Sequence, residues 1–143
     1  MKRRKQKRTP KPQKSIFIQN WGTYGDETVV AVGVTMKEVV KFLKKNKASE
    51  KSIKAIEEDS SSFSETMKNS KGFFAKPTDV SVGSFLWLRE WDNSWECAEV
   101  LVHELFHAVY ITLGKGRSMM DEQEAMAYQQ EFLFQNIRRK LNA

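Results

Sequence analysis

Leu101-Val102-His103-Glu104-Leu105-Phe106-His107-Ala108 sits inside Trp95 to Leu113, a stretch with neither proline nor glycine, and Gly114 follows it as a stop. The spacing predicts one uninterrupted helix, apolar on nearly every side through Val100, Leu101, Val102, Leu105, Phe106, Ala108, Val109, Ile111 and Leu113. Four residues of helix turn through about 400°. His103 and His107 therefore stand one turn apart on one face, where both imidazoles can reach a single Zn²⁺ at about 2.0–2.1 Å. Glu104 flanks that face, poorly placed as a ligand and well placed to take a proton from a water that the metal activates. The chain has only two histidines, and chance would set them four apart with a glutamate between in roughly one such sequence in a thousand. In so apolar a helix, two imidazoles and a carboxylate without partners would cost several kcal/mol, and a metal ion is one economical partner.

A two-histidine site needs a further protein ligand, and with no third histidine this must be a carboxylate or Cys97. Cys97 lies six residues before His103, about 120° away around the helix, and reads as a small core residue. The better source is a final helix, expected to be capped by Asp121, to reach about Arg139 and to return antiparallel to the first. Its opening, Asp121-Glu122-Gln123-Glu124-Ala125-Met126-Ala127-Tyr128, offers three carboxylates. Asp121 and Glu124 also have the spacing of a capping box, an alternative use for Glu124.

These residues resemble the gluzincin branch of the zinc metallopeptidases, in which H-E-x-x-H is followed by a helix that donates a glutamate. More narrowly, Leu101 to Ala108 together with Glu124-Ala125-x-Ala127-Tyr128 is similar to small zincin-like proteins encoded by bacteriophages and prophages. The resemblance covers residues 100–134. It implies a minimal zincin-like domain: a small mixed β-sheet, an active-site helix carrying His103, Glu104 and His107, and a C-terminal helix supplying Glu124 as third zinc ligand, with Glu122 the runner-up. Larger gluzincins bind the developing oxyanion with another histidine; here Tyr128 and Tyr110, with Arg117 further off, are the candidates. A peptide or protein substrate would lie along an edge strand beside the active-site helix, for which Ser84 to Leu88 is the expected donor. Trp87, Trp91 and Trp95 are either the lining of a cleft or core residues.

Outward from this centre, the rest of the chain predicts an α+β domain in the order β-β-α-α-β-β-α-α. Ile16 to Ile18 and Thr28 to Val34 form a hairpin. Thr35 and Glu38 cap a helix through Val39, Val40, Phe42 and Leu43. Residues 49–58 form a short helix, and Asp59 to Ser70, with five serines, a flexible loop. Gly72 to Ala75 and Ser84 to Trp91 form two more strands around a turn at Pro77 and Asp79.

The charge is uneven. The 143 residues carry a formal charge of +6, yet residues 1–14 alone hold eight cations and no acid, which leaves −2 for residues 15–143. The expected organisation is a disordered basic arm over 1–14 and one domain over 15–143; the basic excess belongs to the arm, which rules out reading the fold itself as a nucleic-acid-binding surface from charge alone. Such an arm suits nucleic acid or another acidic partner through salt-sensitive contacts. One cysteine excludes an internal disulfide and suits a reducing, cytoplasmic location, in a host cell if the protein is phage-encoded. No apolar run is long enough for a membrane span or a secretory signal. Two functions follow as expectations: a zinc-dependent metallopeptidase with Glu104 as general base, or a non-hydrolytic zinc-binding module that acts through its basic arm.

Overall fold

The computed structural model describes residues 13–22, 27–76, 83–113 and 119–143, without the side chains of 119–122 and 124. The expected element order is observed: β1 (Ser15–Asn20), β2 (Glu27–Val32), α1 (Met36–Lys45), α2 (Glu50–Asn69), β3 (Gly72–Ala75), β4 (Ser84–Leu88), α3 (Trp95–Leu113) and α4 (Met119–Leu141). The domain is α+β, with four helices around a four-stranded mixed sheet of order β1-β2-β4-β3. β1 and β2 pair antiparallel as a hairpin, Ser15 opposite Val32 and Asn20 opposite Glu27. β2 and β4 run parallel from Thr28 opposite Ser84, and β3 runs antiparallel to β4 from Gly72 opposite Leu88. The arm over 1–12 and the turn at Pro77 and Asp79 lie outside the described residues.

Alternation along the strands divides the core into two layers. Val30, Val32, Leu86 and Leu88 pack beneath α3 and α4, with Leu101, Leu105, Leu133 and Ile137. Ala31, Phe85 and Trp87 point to the opposite face and pack under Val39 and Leu43 of α1 and Ile56 of α2. A sheet covered on both faces explains why Val29 to Val32 and Phe85 to Leu88 read as unbroken apolar runs. Trp21 ties the hairpin to the centre of the sheet: its indole Nε1 donates to Thr28 Oγ1 at 2.8 Å, and that hydroxyl meets Ser84 Oγ at 2.6 Å.

The capping box of α1 is present in both directions. Glu38 N donates to Thr35 Oγ1 at 3.3 Å and Thr35 N to Glu38 Oε2 at 3.2 Å. The expected loop from Asp59 to Ser70 is instead helix, and the short helix over 49–58 is only its first half: α2 runs unbroken for 20 residues. Serine is a mediocre helix former rather than a helix breaker. Here Ser60 Oγ donates back to the Glu57 carbonyl at 2.8 Å and Thr66 Oγ1 to the Ser62 carbonyl at 3.1 Å. What holds the second half is the apolar series Ile53, Ile56, Phe63, Met67 at helical spacing. Phe63 stacks on Phe73 of β3, centroids 5.6 Å apart, and meets Phe85 at 5.7 Å. Phe63→Ala is therefore expected to cost about 2 kcal/mol, below the full core value because the ring is half-buried. Urea unfolding would measure this; a loss under about 0.5 kcal/mol, the value of a loop position, would contradict the packing role.

Among the described residues, no helix is long and apolar enough to cross a membrane.

Candidate metal-binding and hydrolytic site

α3 starts at Trp95 because Ser94 caps it. Ser94 Oγ accepts from Cys97 N at 3.2 Å, and Ser94 N donates to Asp92 Oδ1 at 2.8 Å. The helix lays Cys97, Leu101, Glu104, Leu105 and Ala108 on the sheet and turns Val102, His103, Phe106, His107 and Tyr110 to solvent. The two imidazoles converge, His107 Nε2 standing 3.2 Å from His103 Nε2. Their rings meet edge to face with centroids 4.8 Å apart. Two nitrogens of a tetrahedral zinc site with bonds of about 2.0–2.1 Å are about 3.3 Å apart. The pair thus fits one metal ion as two of its donors, and equally makes a histidine–histidine hydrogen bond. The imidazoles lie in solvent, so their desolvation does not force a metal on the helix, as the apolar sequence suggested; the one buried polar group of the motif is Glu104.

Glu104 is 7 % exposed and lies on the side of α3 that faces β3. Burial pushes its carboxyl above the ordinary carboxylate range, while the two neighbouring imidazoles and the backbone N–H of Phe74 pull the other way. A carboxyl so placed, beside two solvent-facing imidazoles, is within reach of the chemistry expected of a proton acceptor.

The edge strand beside this group is β3, not β4. The expected substrate strand, Ser84 to Leu88, is hydrogen-bonded on both sides and buried along its whole length. Its unbroken apolar run was the signal of an interior strand. β3 occupies the edge and lies close over α3: a Cβ on Gly72 would stand 2.9 Å from Val100 Cγ1 and 3.0 Å from the Trp87 carbonyl oxygen. Only glycine lets strand and helix approach this far.

Trp87 and Trp91 are core residues, their indoles donating to the Val34 carbonyl at 3.1 Å and to Asn142 Oδ1 at 2.9 Å. Trp95 alone of the three is exposed. Cys97 is buried on the sheet side, where burial pushes its thiol above the ordinary value and away from the thiolate a metal needs. Tyr110 stacks on Phe106 at 6.1 Å. Tyr128 is 67 % exposed. It stands about 140° around α4 from the side that meets α3, next to Gln129, which donates to the Trp21 carbonyl at 3.1 Å.

α4 packs along the flank of α3 that carries Val102, Phe106 and Val109, with Gln130 Nε2 donating to the Val102 carbonyl at 3.2 Å. That flank lies roughly 120° around α3 from the two histidines. The helix already includes Met119, so Asp121 falls within it rather than at its cap, and the capping box that competed for Glu124 loses its geometry. The side chains of Glu122 and Glu124, and the whole of Arg117, lie outside the described residues. Among the described residues, no third histidine, cysteine, aspartate or glutamate joins the imidazole pair. The chain matches no protein-family model, no curated protein and no solved structure.

Proposed function

We propose that this domain is a minimal zinc-dependent metallopeptidase of the gluzincin kind. One observation carries the proposal: a carboxyl buried at the edge of the sheet, one residue from the first of two imidazoles whose nitrogens converge to 3.2 Å. A purely structural metal site has no use for that carboxyl. His103 and His107 would hold the zinc, with Glu124 as third ligand. Zinc held there would polarise the scissile carbonyl and acidify water.

The remaining work belongs to the chain. Glu104 accepts the proton of the attacking water and passes it to the departing amine, a role its raised carboxyl suits. The outer edge of β3 offers main-chain groups to an extended peptide, which would lie across Glu104 and the imidazoles as an added strand. Tyr128 lies one turn beyond Glu124 on the same face of α4, so its oxyanion role and the ligand role of Glu124 make the same demand on that face. The basic arm plays no part in this chemistry.

The third ligand is tested by titrating zinc into Glu124→Gln and Glu122→Gln. The first is expected to weaken zinc by orders of magnitude and the second little. The reverse pattern would make Glu122 the ligand. Tight binding by both would leave two histidines alone on the metal and remove the basis for a peptidase. Cleavage itself is read from a peptide-library digest with and without chelator.

A further inference from the structure

One tryptophan is left over once the core is built. Trp21, Trp87 and Trp91 are buried, whereas Trp95, at the start of α3, is 76 % exposed. A single exposed ring needs no explanation, but a contiguous apolar surface does. Val102 and Phe106 are exposed as well and lie within about 40° of Trp95 around the helix, so the three make one row. The row follows the side of α3 that meets α4. On the other side of the two imidazoles stand Val100, close to Gly72, and the buried Glu104, both toward β3. The histidine pair is therefore placed between the edge strand and the apolar row.

Between the first half of α3 and the end of α4 the row borders a hollow of about 640 Å³. Its apolar lining is Trp95, Ala98, Val102 and Phe134, and His103 forms part of the same wall. Ala98 and Phe134 are half-buried and rest on the main core, which gives the hollow a firm floor. Its charged neighbours, Glu99 and Arg138, are exposed. The volume falls in the range of about 300–1,000 Å³ typical of ligand pockets. An alanine side chain would leave such a space largely unfilled, and a phenylalanine, leucine or methionine would occupy it.

We propose that this hollow takes a large apolar side chain of the substrate, at the residue beside the scissile bond that passes from the imidazoles toward α4, and that Trp95 and Val102 select it. The inference rests on the peptidase reading and adds the class of substrate to it. His103 belongs both to the imidazole pair and to the wall of the hollow, so a side chain seated there is next to the reacting bond. A peptide added to the outer edge of β3 crosses the imidazoles and then meets the apolar row. Its main chain is held on one side of the scissile bond and its side chain on the other. Two anchors fix the carbonyl between them better than the edge strand does alone.

Two blocked peptides that differ only in a central phenylalanine or alanine are titrated into the full chain in chelator, with tryptophan emission followed, and are then digested by the zinc-loaded protein. The phenylalanine peptide is expected to bind about 10–100-fold more tightly and to shift the emission of Trp95, the exposed indole, to the blue. It should be cleaved beside that residue, with kcat/KM raised by a similar factor. Trp95→Ala should remove the shift and lower kcat/KM for the phenylalanine peptide about tenfold while changing the alanine peptide little, and Trp95→Phe should restore most of the loss. A general loss of structure would lower both peptides alike. Equal binding or equal cleavage of the two peptides, or a preference that Trp95→Ala leaves intact, overturns the pocket and leaves the peptidase standing. A binding preference without cleavage of either peptide overturns the peptidase and leaves the hollow as an apolar side-chain site. A dimer seen by sedimentation and dispersed by Trp95→Ala would make a second copy of the chain the occupant and overturn the proposal.

Discussion

His103→Ala is expected to abolish stabilisation by zinc while leaving the zinc-free protein almost unchanged. The imidazole is exposed and packs no core, so its removal from the chelated protein should cost less than about 0.5 kcal/mol. Zinc bound to the folded wild type at a thousand times its Kd adds about 4 kcal/mol, which for a domain of this size raises Tm on the order of 10 °C. The variant keeps one of two converging nitrogens and should show no such rise at the same zinc concentration. Thermal melts with and without zinc, paired with metal analysis after dialysis, read both quantities. One zinc per chain retained by His103→Ala would remove His103 from the site. A large loss of stability in chelator would mean that the histidine pair is a structural hydrogen bond.

Glu104→Gln is expected to lower peptide hydrolysis by about 10²–10⁴-fold with zinc still bound, because the amide keeps the shape and cannot take a proton. The same substitution should make the chelated protein more stable at neutral pH, and the sign follows from burial. Below the ordinary glutamate range, near pH 4, the carboxyl is protonated in folded and unfolded chains alike and costs nothing. As pH rises, the unfolded chain ionises freely while burial holds the folded carboxyl back, so stability falls until the raised folded value has been passed and stays lower above it. Glutamine carries no such charge. The Tm difference, variant minus wild type, should therefore be near zero at pH 4, grow as pH rises through the ordinary glutamate range and level off once the raised folded value has been passed. A constant difference across that range would mean that Glu104 is not held in a desolvated site, and unaltered cleavage would take it out of the mechanism.

Periodicity reported the fold well where it was strong. Trp95 to Leu113 has no breaker, and Thr35 with Glu38 marks a helix start by its own chemistry. It failed where composition was allowed to outvote spacing: five serines suggested a loop, although Phe63 and Met67 continue the series of Ile53 and Ile56. Strand position was misread, Ser84 to Leu88 being expected at the edge, although the pattern held the signal. The unbroken Phe85-Leu86-Trp87-Leu88 belongs to an interior strand, and the four-residue Gly72 to Ala75 to an edge. At the site, spacing alone put His103 and His107 on one face, as observed. The burial of Glu104 against β3 and the meeting of Gln13 with Leu141 depend on chain crossings that no local pattern encodes.

The central position of β4 also sets an order of assembly. Thr28 waits for Ser84, 56 residues later, before the parallel half of the sheet can form. Closure entropy is lost before that pairing returns any contact, so refolding should be slower than the helices alone would suggest. α3 follows β4 directly, which makes the histidine pair among the last features to come into place. A nascent chain that has not yet reached Ser84 keeps β2 as an open edge with Val30 and Val32 uncovered, ready to pair with a second chain. Premature termination before that point should therefore yield aggregates, not a smaller folded domain.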